Sequence, residues 1–129
     1  MRLTILGSRS LHRSAVDAHL DLLDICAEIE EFSQDRDTGD ESLERLRYLA
    51  IERLFALLGE SMKRALSADP TLEQQLPYAR QIISMRNRLA HEYDNIDLDT
   101  IWDAADNHVP LLSRRVSEHL VELGIIAAP

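Results

Sequence analysis

Apolar residues recur at spacings of three and four along most of the chain, the pattern of helices that bury one face. It predicts a first helix over about residues 10–32, a second over about 41–67, a third over about 77–92 and a fourth that begins after Asp97. No run of alternating β-branched residues is present, so nothing indicates a sheet. We therefore predict an all-α fold, an antiparallel four- to five-helix bundle, with residues 1–129 forming one domain.

Three features interrupt or bound these helical patterns. Gly59 lies inside the second helix, where glycine costs roughly 1 kcal/mol relative to alanine, so it marks either the close approach of another helix or a tolerated accident. The segment "SADPTLEQQLP" leaves room for a short helical turn, and Pro77 suits the first turn of the third helix. Pro110 falls inside the apolar stripe of the fourth helix and predicts a kink.

Charge is unevenly distributed along the 129 residues. The chain has 14 basic and 23 acidic residues and a net charge of −9, which argues against broad nonspecific affinity for nucleic acid. Eight of the acidic residues lie in residues 28–44, whereas residues 80–91 hold three arginines, one histidine and no acid. A local positive site on an acidic protein is compatible with this distribution.

The composition gives no indication of a metal site, a cofactor or a membrane segment. The single cysteine, Cys26, lies on an apolar stripe and is interpreted as a core residue. The first ten residues hold too few consecutive apolar residues for a signal peptide or a membrane span. Neither of the two Glu-x-x-His motifs of a carboxylate-bridged bundle site is present, and the histidines outside the third helix are expected at surfaces or boundaries. We therefore expect a cytoplasmic protein without a bound metal.

An arginine in the third helix breaks its apolar face. At 100° per residue, Arg86 falls within the sector that holds Ile82, Ile83 and Leu89. Because a guanidinium keeps its charge, its burial requires a partner. One interpretation is an ion pair with an acid on a neighbouring helix, such as Glu60. The other is an anion site in which Arg86 binds a phosphate and His91 transfers protons.

The surrounding residues add a family resemblance. The segment "RNRLAHEY" resembles the R-x4-H-x-Y motif of HepT-like toxins of the HEPN superfamily, and Asn87 is the polar residue that this superfamily prefers after the arginine. The segments "LFALLGESMKRA", "DNIDLDTIWD" and "HVPLL" are also similar to the family. The resemblance is strongest over residues 43–115.

The resemblance implies a homodimer in which Arg86 and His91 of both copies line one cleft. It implies a metal-independent endoribonuclease that cleaves RNA, including transfer RNA. In this interpretation Arg86 binds the scissile phosphate, His91 is the general acid or base, and Asn87 supports the site's geometry. Glu60 is either part of a surface ion pair with Arg64 or a residue that supports the cleft.

The resemblance also suggests regulation and an alternative function. In HepT-like systems an MNT-type nucleotidyltransferase antitoxin adenylylates a tyrosine at the motif, and Tyr93 is the matching position. Without that role, Tyr93 would pack between helices three and four. The alternative is a non-catalytic HEPN subunit that binds substrate for a minimal nucleotidyltransferase, a role that suits the acidity of the chain.

Overall fold

The computed structural model describes residues 13–34, 36, 38–89 and 98–128. These residues form an all-α helical bundle, which confirms the predicted fold class. In chain order the elements are α1 (Arg13–Ser33), α2 (Glu41–Ala68), α3 (Leu72–Gln75), α4 (Ala79–Leu89), α5 (Leu98–Asp103), a π-helical segment (Ala104–His108) and α6 (Val109–Glu122). The predicted C-terminal end of the first helix and both predicted ends of the second agree with α1 and α2 to within about a residue. The predicted start of the first helix, at about residue 10, lies outside the described residues.

The start of α2 is fixed by a side-chain cap. The Asp40 carboxylate accepts hydrogen bonds from the backbone N–H groups of Ser42 and Leu43, at 3.0 and 3.2 Å. These N–H groups are among the four that a helix leaves unpaired at its start. Gly39 precedes the cap with φ at +78°, a left-handed conformation that glycine adopts without a steric penalty. The local sequence therefore determines where the chain turns from α1 into α2.

Helix α2 packs against α1 on one side and α4 on another, and both neighbours run antiparallel to it. Asp21 of α1 lies 3.9 Å from Arg64 near the end of α2, whereas Gln34, just after α1, accepts a hydrogen bond from Arg47 near the start of α2. The end of α4, at Leu89, lies beside the first half of α2. Helix α6 covers another side of α1. This arrangement places α2 between the first helix and the helix that carries Arg86.

The core is formed by apolar side chains from α1, α2, α3, α4 and the segment after residue 98. Its largest fully buried members include Leu22, Ile29, Ile51, Phe55, Leu58, Met62, Leu72, Ile101 and Leu120. Cys26 is fully buried among them, which confirms its interpretation as a core residue. Burial, with a smaller contribution from the charge of Glu30, raises the pKa of the Cys26 thiol to about 12.

The later helices differ in detail from the sequence pattern. The third helix begins at Ala79, and Pro77 lies in the turn before it. The short helical turn between helices two and three is present as α3. The expected fourth helix is divided into α5, the π-helical segment and α6, with Pro110 in the first turn of α6. Proline cannot donate a backbone hydrogen bond and crowds the carbonyl four residues earlier, so the regular α-helix is interrupted just before it.

Among the described residues, no helix combines the length and the apolar character needed to cross a membrane.

Candidate active site

The candidate site lies on the face of α4 that meets α2. Ala79 and Ile82 of α4 are buried in the core, and Arg86 follows Ile82 one turn later on the same face. Arg86 and Arg88 occupy the last turn of α4, where cations interact favourably with the partial negative charge of a helix C-terminus. The apolar start of α4 thus anchors the helix and leaves its basic end at the edge of the core.

Gly59 allows Arg86 to lie directly against α2. A Cβ atom added to Gly59 would lie 2.6 Å from Cγ of Arg86 and closer still to its Cβ, separations too short for carbon atoms in contact. The close helix approach predicted for Gly59 is confirmed, and the approaching helix is α4. The aliphatic stem of Arg86 packs on the α2 backbone, so its guanidinium reaches the rim of the interface.

The guanidinium of Arg86 forms an ion pair with Glu60, the residue next to Gly59. It also donates a hydrogen bond to Oδ1 of Asn87 at 3.2 Å. The Arg86 side chain is 30% exposed and that of Glu60 is 46% exposed. Ion pairs in such solvated positions typically contribute only about 0–1 kcal/mol. Glu60 therefore neutralises Arg86 without enclosing it.

An open groove of about 380 Å³ runs along this interface. We call it the Arg86 groove, and its main lining residues are Leu49, Arg53, Leu57 and Glu60 of α2 with Arg86 and Leu89 of α4. Glu52 also lies along the groove, so its two arginines are accompanied by two acidic residues, Glu52 and Glu60. The groove therefore offers leucines for packing and guanidinium groups for an anion within one surface.

The structure brings together three of the five candidate site residues that were predicted from the sequence. Arg86, Asn87 and Glu60 are in contact, and the ion pair expected as one interpretation of Arg86 is present. Arg64 instead donates a hydrogen bond to Ser61 at 3.1 Å and lies near Asp21. The other two selected residues, His91 and Tyr93, lie outside the described residues, and their roles stay predictions.

Comparison with known proteins identifies the family. The model of the family described as "Ribonuclease HepT-like" matches residues 22–119. This range includes most of α1, most of α6 and all the helices between them. The chain belongs to the HepT-like ribonuclease family. The family assignment supports ribonuclease activity, and more specifically an endoribonuclease of the HEPN type.

Two relatives resemble this HepT-like chain over most of their length. A protein of Thermococcus cleftensis named "Probable ribonuclease HepT" is 27% identical over 99 residues, which cover 74% of this chain and 89% of the relative. A protein of Methanocaldococcus jannaschii, whose name describes it as an RNase, is 22% identical over 103 residues, covering 80% of this chain and 88% of the relative. No solved structure matches the chain significantly.

A buried polar cluster in this HepT-like chain was not predicted from the sequence. His19 and His119 are 0% and 7% exposed, so the expectation that they lie at surfaces or boundaries is wrong. Both contact the Asp69 carboxylate, which also accepts a hydrogen bond from Thr71 at 2.6 Å. Burial raises the pKa of Asp69, but hydrogen bonds from Thr71 and His119 and the charges of both histidines outweigh it, leaving the pKa below its ordinary value.

Part of this cluster could have been found from helical periodicity. His19 lies on the same stripe as Val16 and Leu23, and His119 follows the buried Val116 by three residues. Those neighbours indicate burial for both histidines. Their common partner Asp69 is 50 residues away from each, and no local pattern predicts a contact over that separation.

Proposed function

We propose that this chain cleaves RNA by metal-independent chemistry, with Arg86 binding the scissile phosphate and His91 transferring protons. The observation that carries the proposal is the position of the Arg86 guanidinium, partly exposed at the rim of an open groove. A guanidinium presents paired N–H donors that match a phosphate, but it stays protonated and cannot act as a base. Proton transfer therefore needs a second group, and His91 is five residues farther along the chain.

Glu60 acts in this proposal as an exchangeable partner. In the free protein it neutralises Arg86, and a bound phosphate would take its place or share the guanidinium. The exchange is inexpensive because the solvated pair contributes only about 0–1 kcal/mol, whereas hydrogen bonds to ionised groups contribute about 1.5–3 kcal/mol each. Asn87, hydrogen-bonded to Arg86, would keep the guanidinium oriented when Glu60 releases it.

We propose further that two copies of the chain pair across the Arg86 groove and that both contribute to one cleft. Four leucines of α2 are conspicuously exposed, namely Leu43, Leu46, Leu49 and Leu57, at 37–63%. Helical spacing places them on one side of α2, and Leu49 and Leu57 line the groove itself. Exposed apolar residues grouped in this way are typical of an interaction surface, and pairing there would bring two Arg86 side chains close together.

The activity is tested with purified protein and bulk transfer RNA in buffers with and without EDTA, with the fold checked by circular dichroism. Wild type should cleave under both conditions. His91→Ala should lose about 100-fold or more in rate, since one proton-transfer group contributes about 10² to 10⁴. Arg86→Ala should lose about 10²- to 10³-fold, the typical cost of removing one donor that stabilises the charge of the transition state. The matched control is Arg88→Ala, which removes an exposed arginine from the same turn of α4. Full activity of His91→Ala would refute the mechanism.

The pairing is tested with Leu46→Glu, because Leu46 is 63% exposed and contributes little to the core. Wild type should sediment as a dimer, and the variant should sediment as a folded monomer with greatly reduced cleavage. A monomeric wild type with full activity would exclude a composite site.

We propose that the biological setting is a toxin–antitoxin pair. An MNT-type nucleotidyltransferase would neutralise the nuclease by adding AMP to Tyr93, and the added phosphate would place bulk and negative charge near Arg86. Intact-mass measurement after coexpression should show additions of AMP units on wild type and none on Tyr93→Phe. A Tyr93→Phe variant that the partner still neutralises fully would contradict this form of control.

The net charge of −9 supports a second candidate function, a non-catalytic subunit that binds substrate for a nucleotidyltransferase. An acidic chain repels RNA at long range. Absence of transfer-RNA cleavage at every salt concentration, by protein shown to be folded, would favour this function over the nuclease.

A further inference from the structure

The cluster of His19, Asp69 and His119 has the composition and geometry of a metal site. The three side chains come from α1, from the residue that ends α2, and from α6. One ligand atom from each lies within 4.8 Å of the other two. The three side chains are 0%, 5% and 7% exposed, respectively. Two imidazoles and a carboxylate are the ligand types that zinc and related divalent ions prefer.

The hydrogen bond that His19 donates to Ala15 determines which of its ring nitrogens faces Asp69. Nδ1 of His19 lies 2.6 Å from the carbonyl oxygen of Ala15. A carbonyl only accepts, so Nδ1 carries the proton. In the neutral ring Nε2 then has a lone pair, and it faces Oδ2 of Asp69 at 3.3 Å. Two acceptors at this distance need a cation between them, which is either a second ring proton or a metal ion.

The remaining contacts orient the same atoms towards one point. Thr71 donates to Oδ1 of Asp69, which leaves Oδ2 directed at both histidines. Nε2 of His119 lies 2.9 Å from that oxygen, and its Nδ1 is buried without a partner. Hydrogen bonds on the far side of a ligand, such as the one that His19 donates to Ala15 and the one that Thr71 donates to Asp69, are the usual means by which proteins orient metal ligands.

We propose that His19, Asp69 and His119 bind one divalent transition-metal ion, with zinc the best match. With bonds of about 2.0–2.2 Å, the edge of a tetrahedral zinc site measures roughly 3.3 Å. The His19–Asp69 separation already equals this edge, and the His119–Asp69 separation needs to open by a few tenths of an ångström. The ligand atoms of the two histidines, which lie within 4.8 Å of each other, need to move closer together. Water would take the fourth position.

The ion would join the first and last helices to the end of α2. Residues 60 and 69 are separated by about 13 Å along a helix axis at 1.5 Å per residue, so the cluster is distinct from the Arg86 groove. The proposed metal ion therefore has no role in RNA cleavage, and the test of its binding does not depend on nuclease activity.

The test uses untagged full-length protein, because a histidine tag would itself bind metal. The protein is incubated with zinc, freed of excess by gel filtration and analysed for metal by mass spectrometry. Wild type should retain about one zinc ion per chain, and Asp69→Asn and His119→Gln should retain almost none. The matched control is His108→Gln, which removes a partly buried histidine outside the cluster and should bind like wild type.

Two measurements on wild type keep the proposal testable if the variants do not fold. Cobalt(II) bound at the cluster should give the visible absorption of a tetrahedral site. Zinc at about 100 times its Kd should raise Tm by about 5–10 °C, and EDTA should reverse the rise. The proposal would be overturned if wild type retains no metal and shows neither the cobalt absorption nor the rise in Tm. It would also be overturned if both cluster variants bind zinc as well as wild type does.

Discussion

Replacing Gly59 by alanine tests whether α4 is positioned by its contact with α2. The new Cβ would lie 2.6 Å from Cγ of Arg86 and nearer to its Cβ. These atoms are at the base of the side chain, so a change of rotamer cannot remove the overlap and α4 itself must move. Overpacking of this kind costs typically about 1–3 kcal/mol. Alanine in place of a mid-helix glycine returns about 1 kcal/mol, so we expect a net loss of about 0–2 kcal/mol.

A double-mutant cycle separates these two effects. In an Arg86→Gly background the overlapping Cβ and Cγ are absent, and Gly59→Ala should stabilise the protein by about 1 kcal/mol. The two backgrounds should therefore differ by about 1–3 kcal/mol, the overpacking term. Urea unfolding followed by circular dichroism measures each free energy, at one protein concentration because association shifts apparent stability.

The result that would refute the close contact is equal stabilisation by Gly59→Ala in both backgrounds. A second readout rests on the proposed function. If α4 moves by about 1 Å, RNA cleavage by Gly59→Ala should fall by roughly 100-fold while the protein stays folded. Reduced stability with unchanged cleavage would still support the close contact between Gly59 and Arg86. It would count against Arg86 as the phosphate-binding residue.

Three further predictions concern other parts of the bundle. The Cys26 thiol, buried and with a pKa of about 12, should react with a thiol reagent at pH 8 only when the protein unfolds, and rapid reaction of the native protein would contradict this. Asp40→Ala should destabilise the protein by about 1 kcal/mol in urea unfolding, because α2 loses its cap. The hydrogen bond from Arg80 at 2.5 Å lowers the pKa of Glu73, so the pair's small stabilisation is present above the ordinary pKa of Glu73 and is lost as pH falls through the lowered value. An NMR titration of Arg80→Ala should find the Glu73 pKa higher than in wild type.

Much of the fold could be predicted from the sequence because its signals are local. The stripe of α2 repeats every three or four residues, and Asp40 with Gly39 defines its start. Helix formation and capping depend on residues within about one turn, so their boundaries are readable from the chain. Local signals also indicated the interruption at Pro110, but no local signal predicted the π-helical form of the segment before it.

The candidate site was predictable only in part. Arg86 was recognisable because a permanent charge on an apolar face is unusual, and Gly59 because glycine is unfavourable in mid-helix. The sequence offered both Arg64 and Arg86 as partners for Glu60. The choice depends on which helix lies closest to Glu60, and helical periodicity contains no information about that.

The sequence by itself determined the helical class, the cap and breaks of the helices, and the motif that resembles HepT-like ribonucleases. These properties rest on interactions between residues a few positions apart and on the identity of single side chains. The tertiary structure alone decided that Arg86 packs against Gly59 and that Glu60 pairs with the Arg86 guanidinium at the rim of a groove. It also decided that Asp69 contacts two histidines. Contacts across tens of residues arise when whole helices bury their apolar faces together, so the packing of the bundle decides which polar groups become neighbours.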